Sequence, residues 1–299
     1  MAQTLSAYFL CAGYGKRLRP LTDRIPKPAI PFLGRTALEI NFRKVEPLLP
    51  SRLICNTHHL PQVMEKPARE LGMDILYEKE ILGTGGCLWN AKHILETTDQ
   101  FLVHNGDLIH TIDLKDLMLR HVASGHIATL AGIFRSDHNT LSVGERGELM
   151  GVHGFENYVT SATEVQRLTF AGIAVYEKRF LDFVKPGCED IKPYWTLALR
   201  AGHNIGVVDY SRDAAWYDFG TPQGLWEAAK FNMEQNQEFG FQYRPNAREP
   251  KPYVAHEAEV KNLPEGLRNV LIIEEPVEPI RENTKDCIIG RDFRWEIKV

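Results

Sequence analysis

The apolar run Leu5–Cys11 breaks into a turn carrying Gly13 and Gly15, and cations follow at once at Lys16, Arg17 and Arg19. An apolar run of this kind reads as a buried strand at the centre of a parallel sheet. Glycines let backbone N–H groups approach a ligand closely. Open α/β sheets bind nucleotides at the carboxyl ends of such strands. Further on, Lys27 stands between Pro26 and Pro28, which restrict its backbone. The combination suits a triphosphate. Two commoner phosphate loops fit poorly. A P-loop needs Ser or Thr after Gly-Lys, and Arg17 follows Gly15-Lys16; a dinucleotide fingerprint needs a third glycine, and Leu18 stands there.

Short strand-like and helical patterns then alternate. Strands are expected at Arg52–Asn56, Asp74–Tyr77, Phe101–His104, Ile127–Phe134 and Leu168–Tyr176, with helices at Leu38–Val45, Gly86–Leu95, Leu114–Val122 and Pro193–Ala201. This points to an α/β fold, a Rossmann-like and mostly parallel (mixed) central sheet flanked by helices. The pattern changes near residue 234. Glu234–Pro252 is polar and reads as a linker, and short apolar pieces follow at Val270–Ile273, Val277–Ile280 and Cys287–Ile289. The expected division is a domain over 1–235 and a linker with a small C-terminal extension over 236–299. Two readings of the extension stand side by side: a short β-helix-like coil, or an irregular segment packed on the main domain.

Composition excludes several classes. A net charge of −4 argues against a general nucleic-acid surface. Apolar stretches stay short of the roughly 20 residues that span a membrane. Five scattered cysteines, Cys11, Cys55, Cys87, Cys188 and Cys287, lack metal-type spacing and read as reduced thiols of a cytoplasmic protein.

The string Phe9-Leu10-Cys11-Ala12-Gly13-Tyr14-Gly15-Lys16-Arg17-Leu18-Arg19-Pro20-Leu21-Thr22, with Pro26-Lys27-Pro28, resembles the N-terminal signature of the sugar-1-phosphate nucleotidyltransferases (NDP-sugar pyrophosphorylases); Cys11 replaces the usual Ala. Later landmarks keep the family's order: Gly83-Thr84-Gly85-Gly86, Asn105-Gly106-Asp107, Phe170-Ala171-Gly172-Ile173 and Trp216-Tyr217-Asp218-Phe219-Gly220-Thr221. The likeness covers roughly residues 5 to 230 and leaves the tail outside. It implies that Leu10, Ala12, Gly13, Gly15 and Arg17, with Glu78 and Gly83, bind the nucleotide. It further implies that Asn105, Glu164 and Gly172 border the sugar, that Asp107 and Asp218 hold Mg²⁺, and that Arg17 and Lys27 work on the phosphates. Each later element also has a plain structural reading: a tight turn at 105–107, a helix start at 83–86, a solvated carboxylate at Asp218.

The implied reaction joins an NTP and a sugar-1-phosphate into an NDP-sugar and pyrophosphate. Glu78 and Glu80 precede the glycine segment, and a carboxylate can accept from guanine's N1–H and 2-amino group together, which favours GTP with mannose- or heptose-1-phosphate. UTP-dependent transfer to a hexose or amino-sugar phosphate is the alternative, and cytidylyl transfer to phosphocholine a more distant one. A catalytically silent regulatory paralogue is a third, against which Arg17, Lys27, Asp107 and Asp218 are all in place. One departure concerns the sugar side: where the family often has Glu-Lys-Pro, Glu164-Val165-Gln166-Arg167 stands. Tails like this one self-associate in some relatives, so a homo-oligomer is among the expectations.

Overall fold

The computed structural model describes residues 3–32, 34–154, 163–187, 189–235, 253–254 and 263–298. Its first half builds β1 (Leu5–Leu10), α1 (Ala37–Val45), β2 (Arg52–Thr57), α2 (Pro61–Glu70), β3 (Asp74–Tyr77), α3 (Gly83–Leu95), β4 (Gln100–Asn105), β5 (Leu108–His110) and α4 (Leu114–Ser124). The second half adds β6 (Ala128–Ile133), β7 (Leu141–Val143), β8 (Leu149–Val152), β9 (Gln166–Glu177), α5 (Lys192–Arg200), β10 (Ile205–Asp209), β11 (Trp216–Asp218) and α6 (Pro222–Gln235).

The main sheet runs β3-β2-β1-β4-β9-β6-β10. Strands β3, β2, β1 and β4 are parallel, and β9 lies antiparallel between β4 and β6. The first residues of β9 pair with β7, which β8 extends. The sheet is buried on both faces, and side-chain alternation decides which helix each strand residue meets. Tyr8 packs with Leu88 and Leu95 of α3 and Trp195 of α5, while Ala7 and Phe9 pack with α1, α2 and α4 through Leu38, Met64 and Leu117. Helix α4 shows why these segments start and stop where they do. Asp113 caps its first turn by accepting from the backbone N–H of Lys115 and Asp116, and Gly125, in the left-handed region, ends it.

The chain leaves β1 toward β2 and β3 on one side and returns to β4 on the other. The reversal opens a crevice beyond the carboxyl ends of β1 and β4, where ligands of open α/β sheets bind. The residues after β1 and β4 line it: Cys11–Gly15 and Asn105-Gly106-Asp107.

In the extension, β12 (Tyr253–Val254), β13 (Arg268–Ile272) and β14 (Lys285–Ile289) pair in parallel, and β15 (Arg294–Glu296) closes the stack antiparallel. Val270 lies opposite Cys287, so one coil takes 287 − 270 = 17 residues. Asn269 and Asp286, one coil apart, share a hydrogen bond of 2.7 Å at left-handed corners. Of the two sequence readings, the stacked coil is the one the structure carries. Val277–Ile280 is not a strand, and Val277 is largely exposed. Helix α6 runs through residue 235. The expected linker, apart from its first two residues, and Cys188 lie outside the described residues. The other four cysteines are free and buried. Among the described residues no helix is long and apolar enough to cross a membrane.

Candidate active site

After β1 the chain coils through three 3₁₀ turns, Lys16–Leu18, Leu21–Asp23 and Lys27–Ala29. Gly15 stands at φ +65°, and a Cβ there would lie 2.8 Å from Thr22 Cγ2 and 2.9 Å from Lys27 Cγ. The glycine is therefore what lets the loop fold back until Lys27 lies beside it. Thr22 Oγ1 fastens the fold by donating to Gly15 O at 2.9 Å, and His59 Nε2 donates to Thr22 O at 2.6 Å.

The Asn105-Gly106-Asp107 turn is held from several directions. Gly106 N donates to Leu10 O at 2.9 Å, and Leu10 lies beside Asn105 in the parallel register. Buried Asn41 of α1 donates to Leu108 O at 2.9 Å and Gly106 O at 3.3 Å. Beneath the turn, His104 and His110 form a hydrogen-bonded chain whose tautomers follow from its ends. Ile112 N–H donates to His110 Nδ1, so His110 Nε2 carries the proton given to His104 Nε2, and His104 Nδ1 donates to Asn105 O. Both rings are neutral. Burial pulls His104 down to about 4, with Lys44 adding to the fall and the Asn105 carbonyl and Asp107 opposing it, and pulls His110 well below its ordinary value.

That pair has a pH signature. Unfolded histidines titrate near 6.5, so between about 4 and 6.5 the unfolded chain binds more protons than the folded one. The contribution is complete above the unfolded value and is lost as pH falls. We expect His104 alone to cost on the order of 2 kcal/mol between pH 7 and pH 5. Unfolding midpoints across that range should fall less steeply in His104→Gln; equal slopes would show that the pair does not titrate this way.

The two aspartates meet through the short ribbon of β5 and β11, in which Asp218 lies opposite Leu108, the neighbour of Asp107. Each rests against a cation of the first loop. Lys27 Nζ contacts Asp107 Oδ2, both side chains being mostly buried, and Arg17 Nη2 donates to Asp218 Oδ2 at 3.1 Å in a more exposed pair. A pair as exposed as Arg17–Asp218 is worth less than about 1 kcal/mol, so an incoming phosphate can take Arg17, and a cation Asp218, at little cost. Residues 200 positions apart thus converge, and all four expected charged groups sit together. The donor set is carboxylate oxygen, which suits a hard cation such as Mg²⁺ that takes one or two carboxylates and completes its shell with phosphate oxygens.

Of the residues expected to border the sugar, Gly172 stands at φ +79°, and a Cβ there would lie 2.6 Å from Asn105 Nδ2. Asn105 and Gly172 therefore touch. Trp216 Nε1 donates to Ala171 O at 2.9 Å and ties β11 to the same place. Glu164 takes other partners: it accepts from Ser142, from Arg167 Nε at 2.7 Å and from His153 Nε2 at 3.4 Å. The Ser142 hydrogen bond first, then Arg167 and His153, hold it down to about 2.

Some residues expected to bind the nucleotide also have other partners. Glu78 is 2% exposed and both its oxygens are engaged, Oε1 by Asn56 Nδ2 at 2.7 Å and Oε2 by Leu82 N at 3.1 Å. Asn56 Oδ1 in turn accepts from Cys11 N at 2.6 Å. Glu78 thus braces the loop after β1 instead of offering a free acceptor to a base, and its neighbour Glu80 is exposed. Gly83 opens α3, three residues earlier than the sequence pattern shows, and packs on the Glu189 backbone. Gly13 faces open space, and Ala12 is buried beneath the loop. Sequence reasoning missed Asn56, His58 and His59. The available signal was their place at and beyond the carboxyl end of β2, beside the central strand. His58 Nδ1 donates to Glu78 O at 2.9 Å and its Nε2 accepts from Tyr14 OH at 3.0 Å, which builds one wall of the crevice.

Residues 7–235 match the family described as Nucleotidyl transferase. Curated relatives include the bifunctional protein GlmU of Methanocaldococcus jannaschii, 25% identical over 77% of this chain and 55% of its own. The mannose-1-phosphate guanylyltransferase of Mycobacterium tuberculosis is 29% identical over 73% of this chain and 62% of its own. The chain thus spans between half and two thirds of the length of these relatives. Among solved structures, one described as a glucose-1-phosphate thymidylyltransferase of Bacillus anthracis superposes with a TM-score of 0.64 at 18% identity, covering 80% of this chain and 98% of that one. HddC of Yersinia pseudotuberculosis, in complex with GMP-PN, superposes with a TM-score of 0.59 at 18% identity, covering 76% of this chain and 98% of that one. At that identity the likeness speaks for the fold.

Proposed function

We propose that this chain, which belongs to the nucleotidyl transferase family, joins a nucleoside triphosphate to a sugar-1-phosphate and releases pyrophosphate, with GTP and mannose- or heptose-1-phosphate as the favoured pair. The observation that carries the reading is the convergence of Lys27–Asp107 and Arg17–Asp218 at the mouth of the crevice beside β1.

The sugar phosphate oxygen attacks the α-phosphorus in line, the bond to the β-phosphate oxygen breaks, and pyrophosphate leaves. The nucleophile is already an anion, so no general base is required. The barrier is anion meeting anion, and the protein lowers it by positioning and charge neutralisation. Arg17 holds the β- and γ-phosphates. Lys27, fixed between prolines, offsets charge where the α-phosphoryl and sugar phosphate meet. Asp107 and Asp218 would hold Mg²⁺, which supplies Lewis-acid neutralisation of the phosphate oxygens. Gly172 and Asn105 border the sugar.

The preference for GTP draws on the guanylyltransferase relatives and on the exposed Glu80, which is left to accept from a guanine edge once Glu78 is engaged. Uridylyl transfer is the second reading, favoured by the engagement of Glu78, the carboxylate expected at the base, by Asn56 and Leu82. The test is a matrix of common triphosphates against sugar-1-phosphates with Mg²⁺, read as pyrophosphate release. We expect release only when both substrates are present and with one triphosphate strongly preferred. Arg17→Ala should raise KM for that triphosphate roughly ten- to hundredfold, as loss of a charged phosphate contact does. Tight binding of an NDP-sugar with no release from any pair would replace the enzyme reading with the regulatory one.

A further inference from the structure

We propose that the C-terminal extension is a bracket that fixes the Arg17–Lys27 loop relative to the Asp218 segment, with Arg24 as its positioning residue. This rests on the reading of the site given above.

The extension grips the catalytic domain at two places, each next to a catalytic segment. The first is Arg24, which lies in the loop between Arg17 and Lys27. Its guanidinium donates to Asp292 through Nη1 at 3.1 Å and Nη2 at 2.9 Å, and to Glu274 Oε2 through Nη2 at 2.9 Å. Glu274 Oε2 also accepts from Arg291 N at 3.2 Å, so the acceptor is itself held by its own coil. Among the cations of this loop, Arg24 is the one that pairs with the described residues of the extension, although nothing in the sequence string sets it apart. A two-pronged arginine contact fixes orientation as well as distance, which a lysine cannot reproduce. The second grip is Gln223, five residues beyond Asp218. Its side chain makes a two-way pair with the Lys298 backbone, donating to the carbonyl and accepting from the N–H, both at 3.0 Å.

Between the two grips lies one continuous apolar core. Leu271, Ile273, Ile288 and Ile297 of the extension pack with Leu18, the neighbour of Arg17, with Leu21 of the next turn, and with Phe219, the neighbour of Asp218. Close-packed interiors transmit displacement instead of absorbing it. The separation that places Arg17 against Asp218 is thus set from behind by the coil, while its own charged contacts end at Arg24 and leave Arg17 and Lys27 to the crevice. A shift of about 1 Å at such a site is enough to cost on the order of a hundredfold in rate.

The experiment compares Arg24→Ala with the double variant Glu274→Gln/Asp292→Asn, which breaks the same contact from the other side. A bracket predicts that both lose kcat/KM for the triphosphate by on the order of tenfold or more, while KM for the sugar phosphate stays close to wild type. Arg24→Lys should recover only part of the loss. If Arg24 instead touched substrate directly, the Arg24 variant alone would suffer. If the contact only held the fold together, both variants would melt earlier yet keep wild-type kinetics well below their midpoints. Either result overturns the proposal. Hydrogen exchange gives a readout that does not need turnover: amides of residues 15–30 should exchange faster in the double variant, while those of Gln100–Leu108 should not. Unchanged exchange there would also overturn it. Absence of turnover in the wild type would count against the reaction and leave the exchange result to judge the bracket.

Discussion

Replacing Asp107 with Ala is expected to lower kcat for pyrophosphate release by roughly 10²- to 10³-fold, the usual cost of removing one preorganised charged group from a transition state. Two effects combine. The site loses one of the two carboxylates that would hold the proposed cation, and Lys27 loses its partner while only 15% exposed. A cation left alone at that depth costs about 1–3 kcal/mol of stability as well. Lys27 would then be drawn to whatever anion is near, the substrate ground state included, so binding can tighten while turnover collapses. Asp107→Asn separates the two effects, because it keeps the shape of the turn and removes only the charge. We expect its kinetics to track those of Asp107→Ala and its stability to fall between that variant and wild type, because the amide oxygen can still accept from Lys27 but no longer offsets its charge. Near-wild-type turnover in both variants would remove Asp107 from the mechanism.

The second large effect falls on folding. Gly83→Ala places a Cβ 2.1 Å from the Glu189 carbonyl oxygen at a φ of +69°. Left-handed backbone costs a residue with a side chain about 1 kcal/mol or more, and this collision is with main chain, which cannot swing aside. The clash also threatens the docking of α3, because Gly85 N donates to the same Glu189 oxygen at 3.0 Å and Ile191 N donates to Thr84 Oγ1 at 3.1 Å. A loss of about 3 kcal/mol or more should lower the thermal midpoint by roughly 5 °C or more in a chain of this size. Gly13→Ala is the contrast. A Cβ there meets nothing within 4 Å, so stability should move by no more than about 0.5 kcal/mol, and any loss should appear as weaker triphosphate binding. Equal thermal shifts in the two variants would show that crowding at Gly83 does not govern its role.

The site was legible where a residue's task shows in its local sequence. Leu5–Cys11 is apolar but for Ser6 because both faces of β1 are covered, and the glycines and prolines after it announce a backbone that must turn and hold a cation. The stacked coils of the extension left a trace too, as apolar pieces recurring around Val270 and Cys287. Other features depend on who meets whom across the fold. Nothing near Asp218 says that it lies opposite Leu108; that pairing exists only once β11 joins β5. Glu78 looks like a solvated or base-facing carboxylate until Asn56 and Leu82 are seen to occupy it. Arg24 reads as one more loop cation until Glu274 and Asp292 arrive from 250 and 268 residues away. Helix α2 was hidden because Pro61 and Pro67 mask its pattern; the first sits in the opening turn and the second inside the helix. Strand β10 is a short buried piece, Ile205–Asp209, next to β6, and its Gly206 weakens a strand signal that only the sheet restores.

The measurement that tests the central claim most directly runs the reaction backwards. Transfer through the α-phosphorus with pyrophosphate as leaving group is reversible, so labelled pyrophosphate and an NDP-sugar should return a triphosphate labelled in its β- and γ-phosphates. The account predicts that label enters a triphosphate only when NDP-sugar and Mg²⁺ are both present, with GDP-mannose or a GDP-heptose as the best donor, and that Asp107→Ala abolishes the exchange. Failure of label to enter any triphosphate, across GDP-, UDP-, dTDP-, ADP- and CDP-sugars that bind the protein, would contradict it.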